Sequence, residues 1–161
     1  MIGKESALAA RIRREIADTE RIVDRAEGLV ERAKTLGEMA ILDGAALNLH
    51  AYYAAAERIF EDIAREIDDA TPSGGDWHRT LLLQMASSVT GVRQAVISEE
   101  CYRCLDEYRG FRHVVRNVYT FNLRPDRIEG LVNELRFCYT ALKSDIESFA
   151  LFLEATRPTA P

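Results

Sequence analysis

Several common protein classes are excluded by what this chain lacks. Its cysteines number only three, an odd count that argues against a disulfide framework. Cys101 and Cys104 form a lone CxxC, and Cys138 with three scattered histidines does not supply the further ligands a zinc site needs. The three thiols therefore read as buried helical cysteines, and no metal or cofactor is expected. The longest apolar runs fall far short of a membrane span. The N-terminal MIGKESALAARIRRE has no apolar core of signal-peptide type, so the expected location is the cytoplasm, with no membrane partner. Strand alternation and internal repeats are absent too. A net charge of −5 rules out a surface that draws nucleic acid to it as a whole.

What is present is helical periodicity. With 161 residues and 47% apolar content, the chain is expected to fold as one domain over residues 1–161 with a real core. Leu8, Ile12, Ile16, Ile22, Val23, Ala26, Leu29, Val30 and Ala33 recur at steps of three and four, which predicts a long amphipathic first helix ending near Thr35–Gly37. The Ala-rich stretch MAILDGAALNLHAYYAAAERIFEDIAREIDDA predicts a second, with Leu47, Tyr52, Ala56, Ile59, Phe60, Ile63 and Ile67 as its core stripe. TPSGGDWHR is the clearest loop. Asp76 is placed to cap a third helix running to about Ser88. Ser98 followed by Glu99 and Glu100 opens a fourth, over about residues 98–121, and Pro125–Asp126 opens a fifth that runs to about Ala155. Residues 156–161 should fray. The fold class is all-α, an antiparallel bundle of four to five helices.

Charge is uneven along this bundle. Residues 103–127 hold six arginines against three carboxylates in an otherwise acidic chain. Within them, RGFRHVVRNVY (residues 109–119) is the one stretch with the residue types to act on a phosphodiester. On a helical wheel, Cys101, Cys104, Leu105, Tyr108, Phe111, Val115 and Val118 form the buried arc. Arg109, Arg112, Arg116, His113, Asn117 and Tyr119 form one polar band beside it. Arginine binds phosphate oxygens through a planar fork and stabilises the added charge of a phosphorane. Histidine can take a proton from a ribose 2′-hydroxyl near neutral pH. Asn117 can orient a phosphate, a base or the imidazole. The chemistry implied is metal-independent RNA cleavage with the 2′-hydroxyl as nucleophile, which spares DNA. Arginine bands beside a core stripe are also common as plain solvated or ion-paired surface.

Three segments together resemble the HEPN superfamily, and within it the HepT-like toxin ribonucleases. These are LNLHAYYAAAERIFEDIA, DWHRTLLLQM and ISEECYRCLDEYRGFRHVVRNVYTFNL, and the resemblance covers most of residues 40–155. The HepT hallmark is Arg, four residues, His, one residue, Tyr, often with Asn directly after the Arg. Arg112 matches the arginine and Tyr119 the tyrosine. Asn117 stands where the histidine should be, and His113 where the asparagine often is. The two are exchanged across one helical turn.

The resemblance implies an endoribonuclease toxin acting as a homodimer, with a composite site where two motif helices meet. It implies catalytic roles for Arg112, His113, Arg116 and Asn117, and substrate contacts for Arg109 and Tyr119. RNA is the implied substrate. A small nucleotidyltransferase antitoxin is the implied partner, adding AMP to Tyr119. The alternative is a non-catalytic HEPN protein that serves as the partner or substrate-binding module of a small nucleotidyltransferase. Outside the motif, Glu57 is positioned to pair with a motif arginine across the bundle. His78 reads as a helix-start residue that caps or packs, and His50 as a satisfied core or interface histidine.

Overall fold

A computed structural model of the chain describes residues 3–117 and 122–156, and every regular element among them is helical. The order is α1 (Lys4–Leu36), α2 (Leu42–Ile63), α3 (Trp77–Met85), α4 (Glu99–Asn117) and α5 (Pro125–Ala155). A 3-10 turn at Met39–Ile41 leads into α2, and a π-helical turn at Ala64–Asp68 extends it. The expected all-α bundle is the observed one. Val118 and Tyr119 lie outside the described residues.

The first helix forms because its apolar residues keep to one stripe. Leu8, Ile12, Ile16, Val23, Ala26, Val30 and Ala33 are buried, while Ile22 and Leu29 are half-buried at the edge of the stripe. It ends at Gly37, whose φ of 68° lets the cap N–H return to the carbonyl of Ala33. Pairs across the bundle give the directions. Arg11 meets Glu66 and Arg58 meets Glu15, so α2 runs antiparallel to α1. Arg13 meets Glu147 and Lys34 meets Glu129, so α5 is also antiparallel to α1. Ser98 meets Asp145, and Tyr108 donates to the carbonyl of Leu131, which orients α4 against α5. Tyr52 and Tyr108 join α2 to α4 through an edge-on ring contact at 5.3 Å.

Some details differ from the sequence reading. Leu47 is 64% exposed and not part of the core stripe. It faces the same shallow apolar hollow as Val115 and Leu123, on the outer side of α2. The third helix stops at Met85, three residues before Ser88. Asp76 stands at its N-cap position, but its side chain makes no cap hydrogen bond. Its backbone carbonyl instead accepts from the N–H and the hydroxyl of Thr80. Ser98 does cap α4: its hydroxyl oxygen accepts from the N–H of Cys101.

The segment after α2 is held by a buried ion pair. The Arg93 guanidinium grips both carboxylate oxygens of Asp68 at 2.7 Å and also donates to the carbonyls of Ser87, Gln94 and Gln84. Both side chains are almost wholly buried. Five hydrogen bonds thus occupy the five N–H donors of the guanidinium, which is the condition under which such a buried pair is tolerated. The clamp ties the C-terminal end of α3 to the π-helical turn that ends α2, since Gln84 also donates to Asp68. Cys101 and Cys138 are buried and Cys104 is half-buried; Tyr52 reaches the sulfur of Cys138 at 3.3 Å. Among the described residues no helix is long and apolar enough to cross a membrane.

Candidate functional site

Periodicity puts the motif arginines on the open side of α4. Cys101, Leu105, Tyr108 and Phe111 are buried, as expected for the packing face, and Val115 is half-buried. The residues between them therefore point away from the core. They meet the loop that precedes α3, where Gly74, with φ at 98°, makes a turn that L side chains resist.

The two elements enclose a cleft of about 450 Å³. Arg109, Arg112, His113 and Arg116 line it from α4, and Asp76, Trp77, His78 and Arg79 from the other side. Four arginines thus face one carboxylate in the lining. Arg109 is held by Asp106 at 2.8 Å. Arg79 and Arg116 have no carboxylate partner among the described residues. The cleft is a site for an anion with several oxygens.

The sequence-expected residues come together unequally. Arg109, Arg112, His113 and Arg116 share the cleft. Asn117 lies one turn beyond, where its amide donates to the carbonyl of His113 at 2.8 Å and approaches Nδ1 of the same residue at 3.4 Å. The exchanged pair is thus in mutual reach. Tyr119 falls outside the described residues.

Two residues outside the motif prove central. Glu57, only 4% exposed, does not pair directly with an arginine. Its carboxylate lies 2.6 Å from Nδ1 of His78, and Nε2 of His78 lies 3.2 Å from Nη1 of Arg112. His78 is therefore neither a cap nor a packing residue alone: it links the buried acid to the motif arginine. A guanidinium can only donate, so Nε2 accepts, and the ring proton sits on Nδ1 facing Glu57. Trp77 covers the ring, with centroids 3.6 Å apart. The signal in the sequence was an acid within an alanine stripe and a histidine just after a loop; nothing in either predicts that they meet.

Charge and burial perturb the neighbours. Burial, with the positive charges of Arg112 and Arg116, lowers the pKa of His50, which is half-buried on α2. Burial, then the charges of Glu57 and Asp62, raises that of Glu61. Burial and the charge of Glu57 push the Tyr53 hydroxyl well up. That hydroxyl and Nε of Arg112 are both buried without a hydrogen-bond partner among the described residues. Of these two side chains only Arg112 lines the cleft, where an unsatisfied donor suits an anionic ligand. Among the described residues no group of three or more His, Cys, Asp or Glu is arranged to hold a metal ion.

A family model described as HepT-like protein matches residues 44–153, a span that runs from α2 through nearly all of α5 and includes the whole cleft. No curated protein and no solved structure matches the chain.

Proposed function

The chain belongs to the HepT-like family, and from that premise we propose that it is a metal-independent endoribonuclease, the toxin of a toxin–antitoxin pair. The observation that carries this reading is the shared cleft of Arg109, Arg112, His113 and Arg116. In this reading Arg112 and Arg116 bind the scissile phosphate through their forks and stabilise the charge that builds on its oxygens. His113 carries a proton in the transfer, Asn117 steadies His113, and Arg109 contacts the adjoining backbone phosphate. The nucleophile is the ribose 2′-hydroxyl, so DNA is spared.

The working unit in this reading is a homodimer. Support comes from Leu47, 64% exposed, and Val114, 40% exposed, which leave apolar side chains open to solvent on α2 and α4. A small nucleotidyltransferase antitoxin would silence the toxin by adding AMP, with its bulk and negative charge, to Tyr119, seven positions after Arg112 in the sequence. The exchange of His113 and Asn117 favours a second reading: a partner that binds nucleotide or nucleotidyltransferase without cutting RNA.

Expression of the wild type beside Arg112→Ala and Arg116→Ala, scored for growth arrest and RNA integrity, tests the first reading. Growth arrest with degraded RNA, relieved by both substitutions, is the expected result. Tight binding of the nucleotidyltransferase with RNA left intact would establish the second reading instead.

A further inference from the structure

The best-ordered histidine of the cleft lies outside the motif. Its ring is fixed on three sides: by Glu57 at Nδ1, by Arg112 at Nε2 and by Trp77 across its face. His113, by contrast, is exposed and its ring has one long contact, to Asn117. A carboxylate on Nδ1 fixes the tautomer, leaves the Nε2 lone pair for a substrate proton and stabilises the imidazolium that then forms. Glu57 is suited to this because it is buried: its charge acts at short range, unscreened by solvent.

Resting on the ribonuclease reading above, we propose that His78, oriented by Glu57, is the general base that activates the 2′-hydroxyl. The phosphate first draws the donors of Arg112 onto its oxygens, which frees Nε2 of His78, facing Arg112 from the α3 side of the cleft. The 2′-hydroxyl proton passes to Nε2, and the 2′-oxygen bonds to phosphorus. The bond from phosphorus to the 5′-oxygen breaks, and its electron pair stays on that oxygen. Protonated His113 gives its proton to the 5′-oxygen. The products are a 2′,3′-cyclic phosphate and a 5′-hydroxyl, and the two histidines exchange their protons with solvent before the next turnover. The exchanged motif then has a simple account: the base has moved to α3, and His113 serves the leaving group.

Glu57 is a positioning residue in this scheme, because it acts through His78. The test uses the full chain, a short single-stranded RNA and its uncleavable 2′-O-methyl analogue. His78→Gln keeps a donor and an acceptor near the positions of the ring nitrogens, so it can still restrain Arg112, but it cannot act as a base. The expected result is a fall in kcat of at least ~100-fold with analogue binding held within about threefold. His78→Gly should regain part of its activity with added imidazole. Glu57→Gln should lower kcat by about tenfold or more with little change in analogue binding. If the wild type cleaves and His78→Gln cleaves within about threefold of it, the base assignment is overturned while the ribonuclease reading stands. If the wild type cuts no RNA, the ribonuclease reading itself fails and takes this assignment with it.

Discussion

The carboxylate of Glu57, on α2, and Nδ1 of His78, in the first turn of α3, lie 2.6 Å apart. Among the described residues Glu57 has no other partner of opposite charge, and it is buried. Removing the ring therefore strands a carboxylate in a low-dielectric site. His78→Leu should destabilise the protein by about 1–3 kcal/mol. Glu57→Leu combined with His78→Leu should cost less than the sum of the two single changes, because the double variant strands neither group. Urea denaturation of the four proteins measures this coupling directly, and strict additivity would contradict it.

The tyrosines give a contrast in stability. Tyr108 and Tyr139 donate to the carbonyls of Leu131 and Ile16 at 2.7 and 2.8 Å, whereas the buried Tyr53 hydroxyl has no partner among the described residues. Tyr108→Phe and Tyr139→Phe should each cost about 1 kcal/mol. Tyr53→Phe should be neutral or slightly stabilising in the free protein, since it removes a polar atom that burial leaves unsatisfied. Thermal melts of the three variants separate these outcomes.

His50 ties stability to pH. Burial, together with Arg112 and Arg116, lowers its pKa in the folded protein, so protonating it costs more there than in the unfolded chain. The unfolded state binds this proton more readily, and stability falls as pH drops through the ordinary histidine range near ~6.5. His50→Asn should flatten this part of the dependence, read from denaturation at about pH 7.5 and 5.5. Inorganic phosphate bound at Arg112 and Arg116 should raise the His50 pKa toward its ordinary value, because it offsets their charge. An NMR titration of the ring that phosphate leaves unmoved would contradict the placement of an anion there.

The fold was legible where period and burial coincide. The stripe Cys101, Leu105, Tyr108, Phe111 predicts the packed face of α4, and with it the side on which the arginines emerge. Leu47 departs from the expected core stripe because α2 carries apolar residues around more than one side, and periodicity does not say which sides meet a neighbour. The meeting of Glu57 with His78 depends on the path of the chain between α2 and α3. That path is set by the Asp68–Arg93 clamp and the π-helical turn, long-range features that no local pattern encodes. The motif residues could be named from sequence; the buried acid behind them could be suspected but not placed.

Metal-independent cleavage of RNA by 2′-hydroxyl attack is the chemistry proposed for the arginine cleft. The direct measurement is end-group analysis of single-stranded RNA incubated with purified protein in excess EDTA, beside Arg112→Lys. The expected result is 2′,3′-cyclic phosphate and 5′-hydroxyl ends, protection of any linkage whose ribose lacks the 2′-hydroxyl, and a loss of about 100-fold or more for Arg112→Lys, since a point charge does not replace the fork. Cleavage that stops with EDTA, proceeds at 2′-deoxy linkages, or is equal in Arg112→Lys would contradict it.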